Sequence, residues 1–288
     1  MKQIDKVNYF IKSFLTFFSE RKCPYCGQRK NTVIDRKYLI TTLLECNHCK
    51  LMFRHPVDTE KFNTKFYNNQ YNQNGITTDL PTVKELDQYL QNKFSDTNRS
   101  IKQIEEILTS INGSLEDKKI LDYGCSWGYT TWQFKDLGML ATGFEISKAR
   151  AFFGETNLDV TIHTDTKDIT EGPFDIIFSS HVIEHLPDIS TFIEFCMDNL
   201  NQNGYLILLS PNGSRDFKIK NPEIFHRFWG QVHPNMISVD FYKHIFRNHL
   251  YYISSCPYKV NNFENWNQLE QKIELNNGEE LLCIVKKV

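Results

Sequence analysis

The chain has 288 residues, of which 40% are hydrophobic and 24% charged, with a formal net charge of −2 and a pI near 6.5. These values are ordinary for a soluble globular protein, and the length allows one α/β domain plus a small accessory module. The charge creates no global field that would gather nucleic acid, so a nucleic-acid substrate is not expected.

Residues 1–22 are predicted to form an amphipathic helix, because their apolar positions recur at helical spacing. The stretch is broken by Lys12 and no small-residue cleavage site follows, so a secretory signal is not expected. It is also too short for a membrane span, which needs about 20 apolar residues. We expect the apolar face to pack on the protein or on a second subunit of a homodimer. The alternative is peripheral contact with a membrane surface.

Residues 23–56 are predicted to form a zinc ribbon. Two Cys-x-x-Cys pairs, Cys23 with Cys26 and Cys46 with Cys49, are separated by 19 residues and can complete one tetrahedral metal site. We expect a structural Zn²⁺ that stabilises a segment too short to build its own core, with iron or a redox pair as alternatives. The other four cysteines stand singly. Together with the lack of an export signal, this favours a cytoplasmic location.

A polar connector at 57–96 leads to a domain at 97–288 in which helices and strands alternate. Apolar positions from Ile101 to Ile111 predict a helix that ends near Gly113. Strands are predicted at 119–123, 140–145, 160–163, 174–180 and 205–210, and helices at 127–137, 147–156 and 189–200. This alternation predicts an α/β fold with a mostly parallel sheet covered on both faces. Two further runs, 251–255 and 281–286, predict a C-terminal antiparallel hairpin.

A glycine-rich turn is predicted where the first parallel strand meets the first helix. Gly124 and Gly128 let the backbone turn sharply and approach a ligand, which then faces amides at the helix N-terminus. Asp122 would repel a pyrophosphate and suits a cofactor with a cationic amino-acid end. Glu145, at the end of the second strand, is placed to accept hydrogen bonds from ribose hydroxyls.

Segment 119–210 resembles class I methyltransferases dependent on S-adenosylmethionine (SAM), especially the group related to quinone and sugar methyltransferases. Asp122-x-Gly124-x-Ser126-x-Gly128 resembles their first motif, Glu145 their second-strand acid, 174–187 their fourth-strand motif and 204–211 their fifth strand. Ser126 stands where the family usually has glycine. The resemblance implies a Rossmann-like fold with SAM as cofactor. The residues it places at the cofactor are Asp122, Gly124, Cys125, Ser126, Gly128, Glu145, Ile146, Asp165 (or Asp168) near the adenine, Ser180, and His181 near the sulfur.

The pattern His181-x-x-Glu184-His185 has three interpretations. It matches the inverted zinc-protease pattern, but that pattern needs an uninterrupted helix, whereas this segment follows a strand and soon meets Pro187. It also resembles the Glu-x-x-Glu-His metal-binding segment of quinone O-methyltransferases, with His181 replacing the first Glu, an oxygen ligand that magnesium would prefer. In the third interpretation Glu184 and His185 are structural and pair with nearby backbone, which we favour for His185.

The segment 211–250 follows the fifth strand and is predicted to cover the substrate at the carboxyl edge of the sheet. A methyl acceptor hydroxyl must lose its proton, and histidine is the usual base at neutral pH. His181 and His233 are the candidate bases, followed by His226. Arg215 and Trp229 are candidate substrate contacts.

The order of ribbon, connector and SAM fold resembles deoxysugar C-methyltransferases and methyltransferases associated with surface-polysaccharide synthesis. The first resemblance implies that Tyr67 and Tyr71 of the connector contact the substrate. Those sugar enzymes have a further C-terminal domain that has no counterpart here, so we expect O-methylation of a sugar, nucleotide sugar or glycan. The alternatives are an RNA methyltransferase with a ribbon that reads its substrate and a non-catalytic SAM-binding adaptor.

Overall fold

The predicted N-terminal helix and the connector tyrosines fall largely outside the part of the chain that can be described. A computed structural model describes residues 20–38, 40–57, 78–230, 232–258, 266 and 268–288. Residues 20–22 are described and are not helical. Tyr67 and Tyr71 lie outside these ranges, so their substrate contacts stay predictions. No helix within the described ranges is long and apolar enough to cross a bilayer.

The described residues form twelve strands and eight α-helices. The strands are β1 (Asn31–Lys37), β2 (Thr41–Cys46), β3 (Met52–His55), β4 (Lys119–Tyr123), β5 (Leu140–Phe144), β6 (Thr161–His163), β7 (Phe174–Ser180), β8 (Leu200–Pro211), β9 (Asn235–Met236), β10 (Leu250–Ser255), β11 (Lys272–Glu274) and β12 (Glu280–Lys286). The helices are α1 (Val83–Gln91), α2 (Lys102–Asn112), α3 (Tyr129–Asp136), α4 (Lys148–Leu158), α5 (Ile189–Asn199), α6 (Arg215–Lys220), α7 (Pro222–Phe228) and α8 (Val239–Ile245). Short 3₁₀ turns occur at Thr166–Asp168 and Ile183–His185.

Eight strands form the main sheet, in the order β11-β10-β12-β8-β7-β4-β5-β6. The predicted parallel sheet is confirmed, since β4 pairs in parallel with β5 and β7, β5 with β6, and β7 with β8. The two predicted C-terminal strands also form, and β12 is antiparallel to both β8 and β10. They extend the main sheet, and β11 adds an edge strand, parallel to β10, that the sequence did not predict.

Both faces of the main sheet are covered by apolar packing. Ile207 and Leu208 are neighbours on β8 and point to opposite faces, yet both are fully buried. They belong to two separate hydrophobic clusters, one on each side. Strands buried on both faces read as continuous apolar runs, which is why this part of the chain was predictable.

The N-terminal strands form a second, antiparallel sheet in the order β1-β2-β3-β9. Its fourth strand, β9, comes from the segment 211–250 and places Met236 opposite Met52. Phe53 of this sheet is buried in the same hydrophobic cluster as Ile237 and Phe241 of the α/β domain. The ribbon is therefore built onto the larger domain through both main-chain pairing and shared core.

The helices that cover the main sheet lie within two residues of their predicted bounds. α2 ends before Gly113, whose φ of 73° is a backbone conformation that glycine adopts without strain. α1 lies in the segment that was predicted to be a polar connector. This helix begins with a capping box, in which the Thr82 hydroxyl accepts from the Glu85 amide and the Glu85 carboxylate accepts from the Thr82 amide.

Candidate active site

A cavity of about 360 Å³ lies at the carboxyl end of β4, beside the glycine-rich turn. Gly124 has a φ of 88°, and a Cβ there would come within 2.3 Å of Val182 Cγ2, so only glycine fits. Five of the predicted cofactor residues line this cavity together: Asp122, Gly124, Cys125, Ser180 and His181. A second cavity, of about 430 Å³, lies at the amino ends of β4 and β5, the edge that open α/β sheets do not use for their ligands.

Asp122 supplies a buried carboxyl group to the cavity. It is 3% exposed and accepts a 2.8 Å hydrogen bond from Thr131 Oγ1. Burial raises the pKa of Asp122 to about 7, and the nearby Glu145 carboxylate acts in the same direction, whereas Thr131 opposes them. A cationic ligand group would favour the ionised form of this carboxyl.

Glu145 is held behind the turn by backbone amides. Its carboxylate accepts hydrogen bonds from Ser126 N at 3.1 Å and from Ser147 N at 2.7 Å. Burial raises the pKa of Glu145, although these two amides partly offset the effect. Each oxygen retains a second lone pair, which can accept from a ribose hydroxyl. Ser126 has a φ of 54°, a left-handed conformation that explains why glycine is usual at this position.

The remaining predicted cofactor residues surround the turn without lining the cavity. Gly128 packs against Ile162 and Ile146 is half exposed. Asp165 is exposed and caps the 166–168 turn through the amide of Lys167. Their contacts with a cofactor, and that of the exposed alternative Asp168, stay predictions.

His181 stands at the end of β7, between two carboxylates. Its Nε2 lies 2.6 Å from Glu280 Oε2, and its Nδ1 lies 3.3 Å from Glu184 Oε1. Burial disfavours the imidazolium, but the two carboxylates outweigh it and raise the pKa of His181 to about 10. His181 lines the cavity, and its predicted role as a base stays a prediction. The ring carries a proton at neutral pH and can accept another group's proton only after losing its own.

Among the cavity-lining residues that sequence reasoning did not identify are Glu280, Tyr258 and Arg99. Glu280 begins β12, and its Oε1 accepts a 2.6 Å hydrogen bond from the Tyr258 hydroxyl. Arg99 lies before α2, with its guanidinium 5.0 Å from the ring centre of Tyr89. They come from segments without a recognisable motif, far from 119–181, and only the folded sheet brings them together.

The fold and cavity agree with comparison to known families. A family model described as a methyltransferase domain matches residues 95–251, which is more than half of the chain. The chain belongs to this methyltransferase family. The match contains the glycine-rich turn, Asp122, Glu145 and His181, the residues that the cavity and turn bring together.

Curated relatives of this methyltransferase are similar at low identity. The ubiquinone biosynthesis O-methyltransferase of Pasteurella multocida is 25% identical over 166 residues, covering 43% of this chain and 68% of the relative. The enzyme of the same name from Chelativorans sp. is 30% identical over 105 residues, covering 34% of this chain and 42% of the relative. The chain thus spans less than half the length of some of the relatives it matches.

Solved structures support the fold of this methyltransferase. The plantazolicin methyltransferase BpumL, solved with a desmethylPZN analogue and SAH, aligns with a TM-score of 0.50 and 15% identity. The alignment covers 78% of this chain and 94% of that one. At this identity the likeness is evidence for a shared fold alone.

The segment 211–250 packs against the ribbon of this methyltransferase. Arg215 pairs with Glu45 at 2.8 Å, and Asp35 accepts from both His226 Nδ1 at 2.7 Å and Trp229 Nε1 at 2.8 Å. Trp229 is a core residue, 1% exposed in a hydrophobic cluster, which corrects its prediction as a substrate contact. Arg215 and His226 likewise lie at the ribbon and not in the cavity lining, because ribbon carboxylates hold them there.

His233, the remaining candidate base, lies behind His181 and does not line the cavity. Its Nδ1 is 2.7 Å from the carbonyl oxygen of Phe228. Burial and the neighbouring His185 lower the pKa of His233 to about 4, so the ring is neutral at pH 7. The Nδ1 of His185 pairs with the Val232 carbonyl at 2.6 Å, which is the backbone contact predicted for it.

The four ribbon cysteines converge on one point. Cys23 and Cys49 have their sulfurs 3.6 Å apart, Cys26 and Cys46 have theirs 3.5 Å apart, and all four lie within 4.8 Å of one another. A tetrahedral zinc site with bonds of about 2.3 Å places its sulfurs about 3.8 Å apart. The cysteines therefore fit a tetrahedral metal ion.

Proposed function

We propose that this protein is a SAM-dependent O-methyltransferase of a small hydroxylated molecule, most specifically a sugar, nucleotide sugar or glycan. One observation carries the proposal. The cavity joins a buried carboxyl group, Asp122, to a polar wall formed by His181, Tyr258 and Glu280. The first suits the cationic end of the cofactor, and the second suits an acceptor that offers hydroxyl groups.

Different residues at the cavity would bind the cofactor, position the acceptor and accept its proton. Bound SAM supplies an electrophilic methyl group on a cationic sulfur. Asp122 would hold the cofactor's ammonium group, and Glu145 would accept hydrogen bonds from its ribose hydroxyls. Much of the rate comes from holding the acceptor oxygen in line with the methyl group. The acceptor's proton passes to the Glu280 carboxylate, because the His181 ring beside it already carries its own proton.

The polar wall supports a sugar acceptor, and the curated relatives support a second candidate. Those relatives are named as ubiquinone biosynthesis O-methyltransferases. Their names favour transfer to oxygen and suggest a phenolic acceptor as the alternative. The polar wall favours the sugar, because a sugar presents hydroxyl groups on most of its ring atoms and a phenolic acceptor presents a largely apolar ring.

The ribbon is proposed to hold a structural Zn²⁺ through Cys23, Cys26, Cys46 and Cys49. Four protein ligands leave no open position for substrate, so the ion stabilises the ribbon sheet that packs on segment 211–250. We further propose a cytoplasmic protein that acts on a small-molecule or glycan partner and not on nucleic acid. A homodimer and membrane-surface contact through residues 1–22 stay predictions.

An acceptor panel tests the proposed function. Purified protein would be incubated with SAM and with nucleotide sugars, a polyprenylated catechol or ribosomal RNA, and both S-adenosylhomocysteine and the methylated product would be measured. We expect a methylated nucleotide sugar or glycan. Methylation of the catechol alone would establish the phenolic alternative, methylation of RNA would overturn the small-molecule proposal, and SAM binding without turnover of any acceptor would favour an adaptor.

A further inference from the structure

A second cluster of metal-ligating side chains, distinct from the ribbon cysteines, lies beside His181. We propose that Glu184, His185 and His233 bind one divalent transition-metal ion, Zn²⁺ or a metal of similar preference. One ligand atom from each of the three residues lies within 4.8 Å of the other two. This set differs from the Glu-x-x-Glu-His segment that the sequence resembles. Residue 181 is not a member, and the third ligand comes from the loop before β9.

The environment of the Glu184 carboxylate is the first observation that points to a bound cation. It is fully buried, and neither oxygen accepts a hydrogen bond from a described residue. Oε1 faces His181 Nδ1 at 3.3 Å and His185 Nε2 at 3.8 Å, which are ion-pair distances and not those of well-formed hydrogen bonds. Native proteins nearly always satisfy a buried carboxylate, because its desolvation is otherwise costly. The His181 ring offers Oε1 only an ion pair at 3.3 Å, so a metal ion bound by Glu184, His185 and His233 would supply the close contact that this carboxylate lacks.

The two imidazoles are oriented as metal ligands are. His185 Nδ1 lies 2.6 Å from the carbonyl of Val232, and His233 Nδ1 lies 2.7 Å from the carbonyl of Phe228. A carbonyl oxygen can only accept, so Nδ1 donates in both rings, and Nε2 is the nitrogen left to bind a metal ion. Metal-binding histidines are typically held in this way, with the second ring nitrogen donating to a backbone carbonyl.

The donor set decides which metal the site prefers. Two imidazole nitrogens and one carboxylate oxygen suit Zn²⁺ and neighbouring transition metals, whereas Mg²⁺ and Ca²⁺ prefer oxygen ligands. Ligand atoms of a tetrahedral zinc site lie about 3.4 Å apart, so small side-chain rotations would close the cluster around an ion. Three protein ligands leave one position for water or another ligand, in contrast to the closed ribbon site.

The location links two parts of the fold. Glu184 and His185 lie in the turn after β7, and His233 lies in segment 211–250, so one ion would tie that segment to the turn. His181, in contact with Glu184, forms the adjoining cavity wall. Metal binding here requires neither SAM nor a particular acceptor, so the inference stands or falls separately from the proposed function.

Cobalt binding tests the site in the full-length protein. Protein that retains its ribbon zinc would be treated with a mild chelator and titrated with Co²⁺ in the absence of SAM. Cobalt bound by nitrogen and oxygen gives visible bands without the thiolate charge-transfer absorption that cysteine ligands add, so the two sites are distinguished. Glu184→Gln and His233→Gln would be compared with His163→Gln, a matched control whose Nε2 faces Glu171 at 2.7 Å.

We expect wild-type protein to take up one Co²⁺ per chain with a nitrogen and oxygen spectrum, and Zn²⁺ to displace it. The Glu184 and His233 variants should bind at least tenfold more weakly, and the His163 variant should bind as wild type does. Absence of cobalt uptake by folded wild-type protein would overturn the proposal, as would unchanged binding in folded Glu184→Gln or displacement of cobalt by equimolar Mg²⁺. If both ligand variants fail to fold, the wild-type spectrum and metal content decide the question.

Discussion

His181 Nε2 lies 2.6 Å from Glu280 Oε2, although 99 residues separate them in the sequence. The contact arises because β12 runs antiparallel beside β8, which brings the first residue of β12 to the carboxyl edge of the parallel strands. Tyr258 occupies the other carboxylate oxygen of Glu280. The C-terminal antiparallel strand therefore completes the wall of the active site.

Replacement of Glu280 by Gln should slow methyl transfer about 10- to 100-fold while SAM affinity changes less than about threefold. Glutamine can still accept from Tyr258, but it removes the negative charge that holds the His181 ring. Turnover and calorimetric SAM binding would be measured on the same protein. Glu279→Gln, a change at the exposed neighbouring residue, should leave both unchanged. Equal turnover in the two variants would remove Glu280 from the mechanism.

Affinity for SAM should rise with pH up to about 7 and then level off. Burial raises the pKa of Asp122 to about 7, and the ordinary Asp pKa is about 3.9. The free protein therefore holds a proton there at pH 6, and a cationic ammonium must expel it, so affinity changes up to about tenfold per pH unit below 7. Calorimetry in buffers of different ionisation enthalpy would measure the released proton.

The raised pKa of Asp122 also predicts that stability changes with pH in the direction opposite to SAM affinity. Since the folded protein keeps the Asp122 proton to a higher pH than the unfolded chain, stability falls as pH rises from about 4 to 7 and is constant above that. Asp122→Asn should lack both this loss and the pH dependence of SAM affinity. A slope in affinity that persists in the Asn variant would assign the titration to another group.

Loss of the ribbon metal should destabilise the whole protein. The ribbon and the α/β domain share one hydrophobic cluster, which includes Cys46 and Phe241. Cys46→Ser, or treatment with a strong zinc chelator, should therefore lower the Tm by about 10 °C or more in a thermal unfolding experiment. Cys256→Ser, outside the metal cluster, should shift the Tm much less. An unchanged Tm after verified zinc removal would show that the protein's stability does not depend on the ribbon metal.

Asp35 holds two residues of segment 211–250, His226 and Trp229, at the interface with the ribbon. Asp35→Ala leaves the indole N–H of the buried Trp229 without its acceptor, which should cost about 1–3 kcal/mol of unfolding free energy. Urea unfolding would measure the loss. Asp87→Ala, on the exposed side of α1, should stay within about 0.5 kcal/mol of wild type. A loss as large at Asp87 would mean that the effect is not specific to the interface.

The sequence predicted those parts of the molecule that local patterns encode. The run from Lys119 to Glu145 contains strand, glycine turn, helix and strand in consecutive order, so both the fold and the position of Asp122 were predictable. Trp229 and His226 were wrongly predicted to lie at the substrate. From the sequence alone, an aromatic or imidazole side chain that faces a ligand cannot be distinguished from one that packs on a neighbouring sheet. Glu280 was missed because its position at the cavity depends on strand order, which is a long-range property.

Two glycines with similar backbone conformation should respond differently to alanine. Gly124 and Gly138 have φ values of 88° and 82°, so each substitution strains the backbone by about 1 kcal/mol. At Gly138 the new Cβ meets nothing closer than 3.6 Å, but at Gly124 it lies 2.3 Å from Val182 Cγ2. Gly124→Ala must therefore displace the Val182 side chain or the turn beside Asp122, and we expect SAM affinity to fall more than tenfold. Gly138→Ala should lose stability alone, and calorimetry paired with thermal unfolding would separate the two effects. Equal SAM affinity in both variants would mean that the turn does not shape the cofactor site.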